Sequence, residues 1–378
     1  MNGVAPRPTR GPVGGFIMTG CARKMTVNGV FPTNASSLSL SRRWTKPSRK
    51  ASSMAEKLQD KVAIVTGGGR GVGREVALLF AQQGAKVVVA DLGVEVDGSG
   101  GSTGPAQAVV DEIAAAGGQA IANTGDVSNW GDAEALVQAA VDEWGKLDIL
   151  VNVAGNFNSN NIVDCTPDQL ETLFRVHMQG TMATSHFAAL HWQERSERGD
   201  GYGRLINFTS DSGIGGVPDT FTYAGVKAGI GGLTRAAANA LVNYGVTANC
   251  MTHGAHTRMA DNYNVETTAD YERETGHLPH EDTEDHRKPK HVAPLILYLA
   301  SPQAANITGR IFGAYPNKYI RWSEPEHDRV VEYDGAWDID ELFEMFPEKL
   351  GDGLSLDDLP YPMESLDKPV RVGFGKVK

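Results

Sequence analysis

The sequence predicts a doubly wound parallel α/β sheet, and three observations carry that expectation. Short, almost uninterrupted apolar runs recur along the chain, as strands buried on both faces require. Longer amphipathic stretches separate them, as helices covering both faces of such a sheet would. The first run ends in a glycine cluster, where this class of sheet places its phosphate-binding turn.

The elements follow in order. Val62-Ala63-Ile64-Val65 is the first strand, and the glycine cluster leads into a helical pattern of Val76, Ala77, Leu79 and Phe80 that stops at Gly84. Lys86-Val87-Val88-Val89-Ala90 is the second strand, closed by Asp91. Further strands are expected at 120–122, 147–151, 204–208 and 246–250, then a helix at 292–299 and a strand at 310–312. Together these make a Rossmann-like domain over residues 56–314. Two segments exceed a minimal version of it. Residues 93–105 form a glycine-rich connection that is long for its place. Residues of about 256–290 are dense in Glu, Asp, His and Thr and read either as a solvated excursion or, the favoured reading, as a lid. An acidic extension, 315–378, holds one amphipathic helix marked by Leu342, Phe343, Met345, Phe346 and Leu350, which packs on the domain or on a neighbouring subunit.

Composition narrows the function. With 41% hydrophobic and 21% charged residues the chain is ordinary for a globular protein, and no apolar run reaches the roughly 18 residues of a membrane span. Cys21, Cys165 and Cys250 lie far apart, so neither a disulfide framework nor a metal site is indicated. The net charge of −11 is unevenly spread. Residues 1–55 carry nine Lys or Arg before the first acid, Glu56; without them 26 basic residues face 46 acidic ones, a balance of −20 that repels nucleic acid. That basic, Ser-rich leader reads as disordered: either a transit peptide, which would make the protein organellar, or upstream sequence before a true start at Met54, with a cytoplasmic protein.

The residues that carry chemistry lie at the strand ends. In Thr66-Gly67-Gly68-Gly69-Arg70-Gly71-Val72-Gly73 the glycines let backbone approach a pyrophosphate closely, and the following helix N-terminus offers unpaired N–H groups. Asp91, 18 residues after Gly73, is placed to accept hydrogen bonds from an adenosine ribose and to repel a 2′-phosphate. Arg70 pulls weakly the other way, so NAD is favoured over NADP. Tyr223 and Lys227 are four apart on a helix, which puts an ammonium beside a phenol whose pKa, ordinarily about 10, is otherwise too high for proton transfer near neutrality. Ser210 stands thirteen residues before Tyr223.

In order and spacing, Thr66-Gly67-x-x-x-Gly71-x-Gly73, Asp126-Val127, Asn152-Val153-Ala154-Gly155, Ser210 and Tyr223-x-x-x-Lys227 resemble the short-chain dehydrogenase/reductase family over residues 57–313. Val89-Ala90-Asp91-Leu92-Gly93, the long loop after it and Lys318-Tyr319-Ile320-Arg321-Trp322 are similar to the dehydrogenase unit of the peroxisomal multifunctional β-oxidation enzyme and its stand-alone bacterial relatives. The resemblance implies that Tyr223 is the general acid/base, that Lys227 lowers its pKa and holds the nicotinamide ribose, and that Ser210 orients the substrate oxygen. It further implies that Asp126 and Val127 flank the adenine and that Asn152, Ala154 and Gly155 line the cofactor side of the sheet. The chain departs from the family pattern at His177, where an asparagine usually anchors a proton-relay water, at Val153, and at His253-Gly254 in place of Pro-Gly. His177 serves that relay or is a packed core histidine. The expected activity is hydride transfer between NAD and a secondary alcohol or ketone, with a 3-hydroxyacyl thioester or a hydrophobic alcohol such as a steroid as substrate. A cofactor-binding sensor or assembly subunit on the same fold is the alternative. The family implies a homo-oligomer, with residues 168–191 and 221–244 at the interface.

Overall fold

The computed structural model describes residues 56–261, 265–281, 283–332 and 338–354; the leader expected at 1–55 lies outside them. Seven parallel strands, β1 (Val62–Thr66), β2 (Lys86–Ala90), β3 (Gln119–Asn123), β4 (Ile149–Asn152), β5 (Gly203–Phe208), β6 (Val246–His253) and β7 (Ile311–Tyr315), form one sheet with an eighth, β8 (Lys318–Arg321), antiparallel at its edge. The spatial order is β3-β2-β1-β4-β5-β6-β7-β8. The reversal of direction between β1 and β4 opens a crevice at their carboxyl ends, the usual ligand site of such sheets.

The strands are apolar throughout because both faces are covered. Ala63 and Val65 of β1 point into one core with Val76, Ala77 and Phe80 of α1 (Gly71–Gln82) and Ile296 and Leu299 of α10 (Ala293–Ala300). Val62 and Ile64 point the other way, onto Leu136 and Val137 of α3 (Trp130–Trp144) and Trp192 of α5 (Gly180–Glu197). Each such side chain taken wholly out of water contributes roughly 1.5–3 kcal/mol before the entropy cost of ordering it. The remaining helices are α2 (Gly104–Ala115), α4 (Pro167–Leu173), α6 (Asp211–Gly215), α7 (Phe221–Leu241), α8 (Arg258–Asp261), α9 (Val265–Thr275) and α11 (Ile339–Lys349).

The structure corrects two boundaries. The sheet does not stop at residue 314: Tyr315 belongs to β7, and a turn through Pro316 and Asn317 returns the chain as β8, so the domain runs to at least Arg321. Asn317 takes the left-handed conformation (φ 64°) that such a turn needs and that asparagine tolerates. The long stretch expected around 168–191 is not one α-helix. A capping box of Thr166 and Gln169 starts α4, and residues 174–179 then form a π-helical turn before α5. Such turns concentrate at functional sites, and His177 lies in this one.

Candidate active site

The turn after β1 is built to admit a ligand. Gly67 and Gly71 have φ values of 64° and 54°, open to glycine at little cost. A Cβ on Gly73 would lie 2.1 Å from the Gly67 carbonyl oxygen, and one on Gly67 would meet the Ala154 backbone at 2.9 Å. Helix α1 begins with no side-chain cap and no acid in its first turn, which leaves its N–H groups and partial positive charge to a bound anion. Thr66 is buried and does not face the crevice; its Oγ1 accepts the Val153 and Ala154 N–H groups at 3.1 Å, locking β1's end to β4's.

Asp91 ends β2 at the crevice as expected. Its two carboxylate oxygens already accept the N–H groups of Gly69 and Gly93, both at 2.8 Å, so it also anchors the glycine turn. Arg70 donates to the Val94 carbonyl at 3.0 Å, as does Arg258 of α8, so the long loop after β2 is held from two sides. Asp126 accepts Ser128 N–H and Oγ–H and pairs with Arg175 at 3.5 Å, while Val127 lies against Gly180 of α5.

The Asn152 side chain is turned into the protein interior. Its amide donates to Asn207 Oδ1 (3.0 Å) and Ser185 Oγ and its carbonyl accepts Thr184 Oγ–H, a buried polar network that joins β4, β5 and α5. The inward-facing residues next along the chain, Ala154 and Gly155, do reach the crevice.

Tyr223 and Lys227 share the buried face of α7. The Lys227 Nζ lies 5.5 Å from the Tyr223 ring centroid and donates to the Phe208 carbonyl at 2.9 Å. Burial pulls the Lys227 ammonium down to about 8, against the opposing influence of the Cys250 sulfur. Phe157 meets the Tyr223 ring edge-on at 5.0 Å and His177 does so at 5.6 Å. His177 is 1% exposed, and its Nε2 lies 2.8 Å from the Asn156 carbonyl. The Asn156 N–H also lies 3.3 Å from Nε2, so the Asn156 backbone offers this nitrogen both a donor and an acceptor and suits either tautomer. Neither Nδ1 nor the neighbouring Asn156 Oδ1 has a hydrogen-bond partner among the described residues. Burial, reinforced by Lys227, holds the His177 pKa well below its ordinary value.

Ser210 departs from expectation in part. It follows β5 by two residues, next along the chain from Phe208 and Thr209, which line the crevice there. Its Oγ caps α6 by accepting the Ser212 N–H at 3.2 Å, a bond that leaves the hydroxyl's own proton for another acceptor.

These groups line one cavity of about 960 Å³ that runs from the glycine turn and Asp91 to Gly155, His177, Tyr223 and Lys227. That is the upper end of the roughly 300–1,000 Å³ range of ligand clefts. The segment after β6 closes one side through Thr257, Arg258 and Met259. Its base is tied together at Asp261, which binds His280 Nδ1 and lies 3.5 Å from His256 Nε2. The polar composition of 256–290 announced that segment; nothing in the sequence singled out Asp261 within it. Phe157, Asn156 and Thr209 escaped the sequence reading too, being ordinary residues placed by their neighbours: Asn156 and Phe157 follow directly on Gly155.

A glycine turn at an uncapped helix, an acid ending β2 and a buried tyrosine–lysine pair on one cavity define a nicotinamide-dependent oxidoreductase. The family model described as "Enoyl-(Acyl carrier protein) reductase" matches residues 67–314, and the chain belongs to the short-chain dehydrogenase/reductase family. Hydroxyacyl-CoA dehydrogenase ChsB1 of Mycobacterium tuberculosis is 37% identical over 294 residues, which are 75% of this chain and 87% of that protein. Peroxisomal multifunctional enzyme A of Dictyostelium discoideum is 35% identical over 68% of this chain, which spans 53% of that relative's length. The crystal structure of a short chain dehydrogenase from Mycobacterium avium superposes with a TM-score of 0.68 at 36% identity, covering 79% of this chain and 97% of that one. The protein is an oxidoreductase acting on CH–OH groups.

Proposed function

We propose that the protein oxidises 3-hydroxyacyl thioesters with NAD, with Tyr223 as the acid/base. The observation that carries this reading is the buried Lys227 ammonium 5.5 Å from the Tyr223 ring, on a cavity that begins at the glycine turn. A bound nicotinamide supplies the hydride acceptor. Tyr223 takes the alcohol proton at its hydroxyl as the carbon is oxidised, and the nearby Lys227 charge favours the phenolate that does so. Ser210 donates its remaining proton to the substrate oxygen and steadies the charge that develops there. His177 Nδ1 and Asn156 Oδ1 are both buried with no hydrogen-bond partner among the described residues, which supports a relay water at this point rather than a merely packed histidine.

Asp91 favours NAD, since its carboxylate stands where a 2′-phosphate would add a like charge; Arg70, the group that could offset it, is engaged with Val94. The substrate class rests on the hydroxyacyl-CoA dehydrogenase relative, which aligns over most of its length. The segment 256–290 acts as the lid. The outer faces of the π-turn, α5 and α7 carry exposed Phe174, Met182, Leu190 and Phe221, suited to a homo-oligomer interface.

The test is NADH formation, followed by absorbance, over a panel of 3-hydroxyacyl thioesters, simple secondary alcohols and hydroxysteroids, with NADP in parallel. The thioesters should give the highest kcat/KM. Tyr223→Phe should lower kcat by about 100-fold or more, the scale of a positioned acid/base; a variant of undiminished rate would remove Tyr223 from the mechanism.

A further inference from the structure

A half-buried hydrogen-bonded knot adjoins Ser210 and has no part in the chemistry proposed so far. Tyr315, the last residue of β7, directs its hydroxyl to Asp211 Oδ1 and lies 2.6 Å from Thr252 Oγ1 of β6. Thr252 in turn accepts the Trp322 indole N–H at 3.2 Å. The Tyr315 ring rests on two glycines that make room for it: a Cβ on Gly313 would lie 2.4 Å from its Cε2, and one on Gly254 2.8 Å from its Cδ1. Asp211 is the first residue of α6 and follows Ser210 directly. Its carboxyl is pushed up by burial, against hydrogen bonds from Tyr315 and Thr252 and the charge of Lys318.

The knot therefore joins three chain segments at one point: the turn after β5, the end of β6 and the β7–β8 hairpin. A hydroxyl bonded to a carboxylate is among the stronger neutral-to-charged hydrogen bonds, and this one fixes the residue next to Ser210. The Ser210 backbone is extended (φ −150°, ψ 157°), and its side chain is held from the other side by the Ser212 N–H. The two residues that follow Ser210 are thus both held, Asp211 by Tyr315 and Ser212 by the Ser210 side chain itself.

We propose that Tyr315 is a positioning residue that acts through Asp211 to hold Ser210 toward the substrate oxygen. The proposal rests on the reading of Ser210 given above. It assigns the β7–β8 hairpin a role in the rate of the reaction.

A double-mutant cycle in the intact chain tests it. Tyr315→Phe removes one oxygen and keeps the ring on its glycines. It should lower kcat by about tenfold or more while the KM for NAD stays within about twofold, because misplacement of a reacting group is felt in the transition state. In a Ser210→Ala background the same change should add nothing, since residues that act as a unit are not additive. Effects that multiply, or an unchanged kcat in Tyr315→Phe, would overturn the proposal. Should Ser210→Ala alone leave kcat unchanged, the reading of Ser210 fails and this proposal with it, an outcome separable from the first. If Tyr315→Phe does not fold, Asp211 gives the answer: Asp211→Asn keeps an acceptor for the hydroxyl and should hold kcat within about threefold, whereas Asp211→Ala should reproduce the loss. Equal losses in the two Asp211 variants would overturn the proposal.

Discussion

His253 ends β6 where the family usually has proline, and the structure shows what the ring does there. Its Nδ1 accepts the Ala255 N–H at 3.3 Å and its ring stands edge-on to Phe208 at 6.0 Å. Burial first, and the Lys227 charge second, pull its pKa down to about 4. The ordinary value is about 6.5, so the unfolded chain binds a proton at a pH where the folded one does not. The stability tied to the neutral ring is thus complete above about pH 6.5 and is lost as pH falls toward 4, by an amount of roughly 3 kcal/mol. His177, also held well below its ordinary value, adds a change of the same sign. The urea midpoint should accordingly drop between pH 7 and pH 5, and His253→Asn, which keeps an acceptor for Ala255, should flatten that drop; an equal slope in the variant would show that His253 does not titrate on unfolding. At this scale the sequence was readable where a residue's role is fixed by the backbone, as at Gly67, Gly73 and Asp91. It was less readable for Asn152, whose side chain is claimed by Asn207 and Ser185 far along the chain, and for Ser210, whose Oγ caps α6 two residues on.

Among the elements, the π-turn is the one whose shape the sequence did not show. Nothing in Phe174-Arg175-Val176-His177-Met178-Gln179 distinguishes it from an α-helix by periodicity, because the extra residue is accommodated by contacts on other elements. One such contact is with Gly155, where an added Cβ would lie 2.3 Å from His177 Cε1 and 3.0 Å from Nδ1. Gly155→Ala should therefore push the ring off the Asn156 carbonyl, cost about 1–3 kcal/mol as an overpacked core does, and lower kcat with the relay. Gly155→Ala with His177→Ala should regain most of the lost Tm but not the rate; a single variant as stable and active as the parent would mean that the ring moves freely. The strand starts were read to within two residues, since a run buried on both faces is apolar throughout, but β6 and β7 each run three residues beyond the expected ends. Strand β8 escaped because Lys318-Tyr319-Ile320-Arg321 is mostly exposed at the sheet edge, where charge guards against further pairing and erases the apolar signal.

For the molecule as a whole, the described residues build the sheet, the cores on its two faces and the lining of the cavity named above. The first turn is closed from within: Leu58 is fully buried in the core that α1 and α10 share, and its N–H bonds the Gln83 carbonyl at 2.9 Å. The charge divides at the same place, since the nine basic residues of 1–55 precede an acidic body. Removal of residues 1–53 should then leave kcat/KM within about twofold and the urea midpoint unchanged, because residues from Leu58 onward build the described core and cavity lining. The deletion should also move the protein's isoelectric point downward, as nine positive charges leave with it. Comparing the full and shortened chains as fluorescent fusions separates the two origins proposed for the leader: a transit peptide sends only the full chain to an organelle, whereas upstream sequence before Met54 leaves both in one compartment. A shortened protein that folds but has lost its activity would instead assign the leader a part in the site itself.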